Sequence, residues 1–174
     1  MAHSLVVGMT ESGKSTLAKR LVMDWRHRGR AVLVLDALHD PAWHCDFLTS
    51  SGPEFQAVVR GSRNCLVVVD EAGEYVGQYD KELSWLATRG RHWGHSCLFV
   101  AQRASQISRL VRDQCSFLMC FAVSKYDARI LSDEWGRDEL LDAPQLPRGT
   151  CIYVPRFGSS KRITVFGGGQ KILG

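Results

Sequence analysis

Two glycines and a lysine at fixed spacing mark the strongest candidate for chemistry, a loop that binds phosphate. Residues 8–15 read GMTESGKS, which satisfies the pattern G-x-x-x-x-G-K-[ST]. Its two glycines let successive backbone N–H groups turn inward around an anion, Lys14 would reach the outer phosphates of a nucleotide, and the Ser15 hydroxyl would bind Mg²⁺. The predicted nucleotide contacts are Gly8, Met9, Thr10, Glu11, Ser12, Gly13, Lys14, Ser15 and Thr16.

Two acidic residues follow a short apolar run and could act on the bound phosphates. Asp70 and Glu71 follow directly after the run at residues 65–69. An acid at a strand end beside a phosphate loop holds Mg²⁺ through water, and we assign that role to Asp70. The second acid can polarise the attacking water, which makes Glu71 the candidate general base. The adjacent glutamate favours nucleotide hydrolysis over transfer to a small acceptor.

Two further candidates flank the next apolar run, residues 97–101. Gln102 ends this run, and its amide could contact both the γ-phosphate and the water. The basic segment 89–95 precedes the run. An arginine that neutralises transition-state charge accelerates such hydrolysis by roughly 10³- to 10⁵-fold, and the phosphate loop contains none. We expect a neighbouring subunit to supply it, with Arg91 as the first candidate and Arg89 as the second.

These residues need a sheet whose strand ends meet at one edge. The strand-like runs are residues 4–7, 31–35, 65–69, 97–101 and 117–123. Helices are predicted over residues 14–28, 80–89, 105–112 and 126–135, and a terminal β-hairpin over residues 150–154 and 162–166. The alternation predicts a three-layer α/β sandwich, with helices on both faces of a mainly parallel sheet. Ligands on such sheets bind beyond the carboxyl ends of the strands.

The composition is that of one globular domain. We expect residues 1–174 to form a single unit, with a core at 4–154 and a terminal hairpin at 150–166. Lys and Arg outnumber Asp and Glu by 22 to 18, which is compatible with a polyanionic partner. No apolar run approaches the roughly 18 residues that span a bilayer, and no signal peptide is recognisable. The six cysteines form no C-x-x-C pair, and we expect reduced thiols.

The chain resembles the FtsK/HerA superfamily of DNA-pumping ATPases over about residues 5–154. The loop and the acid pair are shared with many ATPases, whereas two other stretches are more specific. Residues 91–103 (RHWGHSCLFVAQR) place an arginine three residues before a glycine, ahead of a strand that ends in Gln-Arg. Residues 121–131 (FAVSKYDARIL) are similar to the segment after the next strand, and the PRG of residues 147–149 also fits.

The resemblance implies a RecA/ASCE-like P-loop NTPase that forms a homohexameric ring and translocates double-stranded DNA with ATP. It implies that Lys14 and Ser15 bind ATP and Mg²⁺, that Gln102 is the sensor, and that Arg91 acts in trans. A motor of this size most resembles the genome-packaging ATPases of tailless icosahedral viruses with an internal membrane. We therefore expect packaging into a preformed capsid, capsid vertex or portal partners, and a location in the virion and host cytoplasm.

Other interpretations stay open. A small P-loop kinase, an assembly ATPase of the filamentous-phage type and a non-hydrolysing nucleotide-binding scaffold are the alternatives. The family's amino-terminal domain and winged-helix module are not expected here, and Glu11 and Ser12 replace the small residues usual in the loop. Candidate DNA contacts are basic residues near the predicted site or the hairpin. They are Arg89, Arg91, Arg103, Arg109, Arg112, Lys161 and Arg162.

Overall fold

A computed structural model of the protein describes residues 2–77 and 82–166. In this part of the chain, eight strands form one sheet in the order β3-β2-β4-β5-β1-β6-β7-β8. The strands are β1 His3–Val7, β2 Val32–Leu35, β3 Phe47–Thr49, β4 Leu66–Val69, β5 Ser96–Ala101, β6 Cys115–Cys120, β7 Thr150–Pro155 and β8 Lys161–Thr164. The first six strands pair in parallel, and β7 and β8 add on antiparallel.

Helices cover both faces of the sheet. The α-helices are α1 Lys14–His27, α2 Gly52–Gly61, α3 Trp85–Arg89, α4 Arg109–Gln114 and α5 Lys125–Trp135. Alternate strand residues point to opposite faces, so the described residues form two buried clusters. One cluster packs the sheet against α1, and the other packs it against the remaining four helices. The predicted three-layer α/β sandwich is confirmed.

The sequence prediction of the strands agrees with the structure apart from their ends. All five apolar runs contain a parallel strand, and the terminal hairpin is β7 and β8. The last run ends earlier than predicted, at Cys120. Ser124 caps α5 by accepting a hydrogen bond from the Asp127 N–H, so the residues between leave the sheet to enter the helix. The short strand β3 at the sheet edge and helix α2 were not predicted.

The helix predicted over residues 105–112 is present, but it starts four residues later than predicted and runs from Arg109 to Gln114. A short 3₁₀ turn, Ala104–Gln106, is followed by an extended Ser108, and α4 begins only at Arg109. Ile107 forms a β-bridge with Gly77, and the Ser108 N–H donates to the Val76 carbonyl, so tertiary pairing overrides the local helical pattern. Helix α3 is also shorter than predicted, and residues 80–81 of that prediction lie outside the described residues.

Among the helices described, none combines the length and apolar character needed to cross a bilayer.

Candidate nucleotide-binding site

The phosphate loop joins the carboxyl end of β1 to the start of α1, as predicted. The Gly8 N–H donates to the Ala101 carbonyl, and the Met9 N–H donates to the Ala122 carbonyl at 2.8 Å, so the loop is fastened to the strands on either side of β1. A Cβ at Gly8 would lie 2.5 Å from Ser12 Oγ, so no larger residue fits there. Gly13 has φ +111°, a conformation that favours glycine.

Lys14 and Ser12 indicate that the loop is built for an anion. Lys14 is only 6% exposed, and among the described residues no carboxylate lies within ion-pairing distance of its ammonium group. A buried charge without a partner is costly. The Ser12 Oγ is also buried and has no hydrogen-bond partner in the part of the chain described. A phosphate in the loop would accept hydrogen bonds from these groups and from the N–H groups at the start of α1.

The acid pair lies at the same edge of the sheet. Asp70 follows β4 and accepts a hydrogen bond from the Glu71 N–H at 3.0 Å. Burial, aided by the charges of Asp36 and Glu71, raises the pKa of Asp70 to about 6, although the Glu71 N–H and the charge of Lys14 lower it. Glu71 has φ +47°, an uncommon conformation for a residue other than glycine and one that clusters at functional sites. The chain thus turns sharply to place these two carboxylates.

Gln102 contacts Glu71 directly. Strand β5 lies between β4 and β1, so Gln102 follows the strand that separates the acid pair from the phosphate loop. The Gln102 Nε2 donates to Glu71 Oε1 at 3.2 Å. The structure therefore brings together the predicted base and the predicted sensor, beside the strand that leads to Lys14.

The donor set suits Mg²⁺. Ser15 and Asp70 offer oxygen atoms, which Mg²⁺ prefers, and this ion is usually held by one or two protein ligands together with water and substrate phosphates. Within residues 2–77 and 82–166, no group of three or more His, Cys, Asp or Glu side chains is arranged around a metal position. Ser15 and Asp70 are the residues that would hold the ion together with the phosphates.

Arg91 lies near the amino-terminal ends of the parallel strands, whereas the phosphate loop lies at their carboxyl-terminal ends. It donates through Nη2 to the Gln114 carbonyl just before β6 begins, and its charge helps burial lower the pKa of His3 to about 4. His3 begins β1, whereas the phosphate loop follows the end of that strand, and five residues of strand span roughly 16 Å. Arg89, at the end of α3, lies in the same connection. Neither arginine joins the site of its own chain.

Two residues that the sequence reasoning did not assign line the site. A cavity of about 120 Å³ opens beside the loop, and Arg148 and Phe166 line it together with loop residues. The Arg148 Nε donates to the Glu11 carbonyl at 3.0 Å, and Phe166 is 46% exposed. The PRG turn and the end of the hairpin were the available signals, although neither carries a recognisable binding pattern.

A third unassigned residue, Asp36, follows β2 at the same edge. Its buried carboxylate accepts hydrogen bonds from the N–H groups of Leu38 and Asp40 and from the Trp43 indole. These donors hold the turn after β2 beside Asp70, whose own N–H donates to the Leu35 carbonyl at 3.0 Å. Asp36 therefore stabilises the turn next to the acid pair.

Arg112 is not a candidate DNA contact, contrary to the sequence prediction. It is 7% exposed and pairs with Glu134 through two hydrogen bonds of 2.6 and 2.7 Å. It also donates to the carbonyls of Ala104 and Ile107. An arginine whose donors are used inside the protein cannot bind phosphates of a nucleic acid. The other arginines proposed, Arg89, Arg91, Arg103, Arg109 and Arg162, are exposed.

A strand, a glycine loop and a helix, with an acid pair after the strand two places away in the same parallel sheet, are the features of the P-loop NTPase class. Comparisons with known proteins agree. A family model described as the poxvirus A32 protein matches residues 54–135. Among curated proteins, none matches the sequence significantly.

Solved structures share the fold at low sequence identity. The chain is similar to the genome packaging NTPase B204 from Sulfolobus turreted icosahedral virus 2, solved with AMPPCP, with a TM-score of 0.80 and 14% identity over 92% of this chain and 96% of that one. It is also similar to VirB4 of Thermoanaerobacter pseudethanolicus, with a TM-score of 0.72 and 10% identity over 95% and 89% of the chains. The resemblance to packaging ATPases and the fold class predicted from the sequence are confirmed.

Proposed function

We propose that the protein is an ATPase that translocates double-stranded DNA and packages a viral genome into a preformed capsid. One observation carries the enzymatic part of this proposal. Glu71, in a left-handed conformation, accepts a hydrogen bond from Gln102 at the sheet edge where the buried Lys14 has no ion-pair partner among the described residues. A general base, a polar sensor and a phosphate-binding lysine on neighbouring strand ends suit the hydrolysis of a nucleoside triphosphate.

Each residue of the site then has a separate task. The backbone of the loop and Lys14 hold the β- and γ-phosphates, while Ser15 and Asp70 would hold Mg²⁺, which neutralises phosphate charge when bound. Glu71 accepts a proton from the attacking water. Gln102 holds the Glu71 carboxylate through the 3.2 Å hydrogen bond and can orient the same water. Binding of ATP analogues by B204, as its structures describe, supports ATP as the nucleotide.

The position of Arg91 favours a ring. Its guanidinium lies at the edge opposite the phosphate loop and is held by the Gln114 carbonyl, so it can act only on the nucleotide of a neighbour. Head-to-tail contacts that close on themselves generate rings, and we propose a homohexamer around the DNA. Packaging further requires contact with capsid vertex or portal proteins and a location in the virion and host cytoplasm. The match to the poxvirus A32 family model supports the viral assignment.

The ATPase rate of the purified protein tests the proposal. We expect the rate per subunit to rise with protein concentration, because the ring completes the site, and to rise again with long double-stranded DNA. The Lys14→Ala variant is the control and should show no turnover under any condition. A phosphorylated small-molecule product, or turnover that responds to neither concentration nor DNA, would contradict the motor and favour a kinase.

A further inference from the structure

The strand order fixes the direction in which a bound nucleotide must lie. Glu71 and Gln102 follow β4 and β5, on one side of the phosphate loop. The phosphate that is cleaved must face these two residues, because one activates the water and the other contacts it. The opposite end of the nucleotide, which carries the sugar and base, therefore extends towards β6, β7 and β8.

Two segments on that side are fastened to the phosphate loop. The turn before β7 contributes the Gly149 N–H, which donates to the Ser12 carbonyl at 2.8 Å, and the Arg148 Nε, which donates to the Glu11 carbonyl. The end of the hairpin is attached in turn. The Val165 N–H donates to the Gly149 carbonyl at 2.6 Å, and the Val165 carbonyl accepts from Arg20 on α1.

These attachments place an aromatic ring at the mouth of the loop. Phe166 packs against Gly149 so closely that a Cβ on that glycine would overlap the ring, and a Cβ on Gly13 would lie 3.5 Å from its tip. The other part of the ring is open, since the side chain is 46% exposed and lines the same 120 Å³ cavity as Lys14 and Ser15. The Arg148 guanidinium carbon lies over part of the ring, 5.8 Å from the ring centroid.

We infer that Phe166 is the platform on which the base of the nucleotide stacks. This inference rests on the proposed function, because it assumes that the loop binds a nucleoside triphosphate. A ring that packs against two glycines and is still 46% exposed offers an apolar surface to a flat aromatic base, and such stacking tolerates any base. The position of the ring in the cavity of the phosphate loop argues for a nucleotide base as its occupant. Phosphate binding by the loop and base binding by the hairpin are then two separable parts of one site.

Two ligands can distinguish phosphate binding by the loop from base binding by Phe166. We propose to measure the equilibrium binding of ATP and of inorganic tripolyphosphate, each with Mg²⁺, to the full chain and its variants. Tripolyphosphate has the phosphates but no base. Phe166→Ala should weaken ATP binding by about 5- to 100-fold, the range typical of a lost base–aromatic stack, and should leave tripolyphosphate binding unchanged. Phe166→Trp should bind ATP as the wild type does.

Phe157 provides a matched control. It is 93% exposed and follows β7 at the opposite edge of the sheet, in the surface hollow that Arg91 lines. Phe157→Ala therefore removes an exposed phenyl ring of the same hairpin away from the phosphate loop and should bind both ligands as the wild type does.

Several results would overturn the inference. If Phe166→Ala binds ATP within twofold of the wild type, no base stacks on the ring. If it loses ATP and tripolyphosphate equally, the ring merely supports the loop through Gly149 and Gly13. If the wild-type protein binds neither ligand, the nucleotide site itself is refuted and the platform with it, whereas intact tripolyphosphate binding in every variant leaves the phosphate loop established.

Discussion

Subunits that are inactive alone should recover ATPase activity when they are mixed, provided that Arg91 acts on a neighbour. Arg91→Ala subunits keep Glu71 and their own phosphate loop but cannot complete the site next to them. Glu71→Gln subunits keep Arg91 but cannot activate water. The whole length of β1 separates Arg91 from the loop of its own chain, so only a contact between subunits can bring the two together.

The proposed ring sets the size of the expected recovery. Removing an arginine of this kind lowers turnover by about 10³-fold or more, so each variant alone should be close to inactive. In a closed head-to-tail ring of randomly mixed subunits, about one interface in four joins an intact Glu71 to an intact Arg91, so an equal mixture should reach about a quarter of the wild-type rate. Phosphate release with double-stranded DNA, at concentrations where the wild-type rate per subunit has levelled off, measures this recovery.

Arg89→Ala is the matched control, because Arg89 lies in the same basic segment and is also exposed. This variant should stay active alone if Arg91 is the acting arginine. An equal mixture that is no faster than the average of the two inactive variants would refute the reasoning. So would Arg91→Ala subunits that turn over ATP within a few-fold of the wild type.

Two further predictions concern buried charge. Asp70 has its pKa raised to about 6 by burial, so it contributes stability below pH 4 that is lost as the pH rises through 6. Without nucleotide or Mg²⁺, Asp70→Asn should raise the melting temperature at pH 8, and the gain in the free energy of unfolding should be at most about 3 kcal/mol. The difference between the variant and the wild type should vanish by pH 4. An equal gain in melting temperature at pH 4 and pH 8 would contradict this prediction. Glu134→Ala leaves the Arg112 guanidinium buried and unpaired, which should cost about 3–5 kcal/mol and lower the melting temperature by roughly 6–20 °C. Asp113→Ala breaks only the exposed pair with Arg109 and should cost less than about 1 kcal/mol; equal losses in both variants would contradict the assigned burial.

The placement of most candidate site residues could be predicted, because these residues follow the ends of strands. The phosphate loop, the acid pair and Gln102 each follow a buried apolar run, and parallel strands bring such ends to one edge. The contact between Gln102 and Glu71 could not be predicted from the apolar runs alone, because it depends on β5 pairing with β4. That pairing is a tertiary choice that hydrophobic patterns do not encode.

Residues joined to the site by backbone hydrogen bonds could not be predicted. The Arg148 Nε donates to the Glu11 carbonyl, and Phe166 is placed by its neighbour Val165, whose N–H donates to the Gly149 carbonyl. Neither Arg148 nor Phe166 has a sequence pattern of its own. Helix α2, in contrast, carries a readable signal that was missed, because Ser51 caps it by accepting from the Glu54 N–H and a proline stands in its first turn.

The late start of the helix predicted over residues 105–112 shows the limit of local patterns. Residues 109–112 are helical as predicted, whereas Ile107 pairs with Gly77 in a β-bridge and the Ser108 N–H donates to the Val76 carbonyl. Helix α4 carries Arg112, whose side chain is buried against Glu134. A residue that appeared to be a surface cation in the sequence is therefore a structural one.

The Glu71→Gln variant tests the hydrolytic site most directly, by comparing ATP binding and ATP turnover in the same protein. Glutamine keeps the size of the side chain and an oxygen that can accept from Gln102, but it cannot take a proton from water. We predict ATP affinity within about threefold of the wild type and turnover lowered by at least about 10²-fold. Turnover near the wild-type rate, or a loss of ATP binding as complete as in Lys14→Ala, would contradict the assignment of Glu71 as the general base.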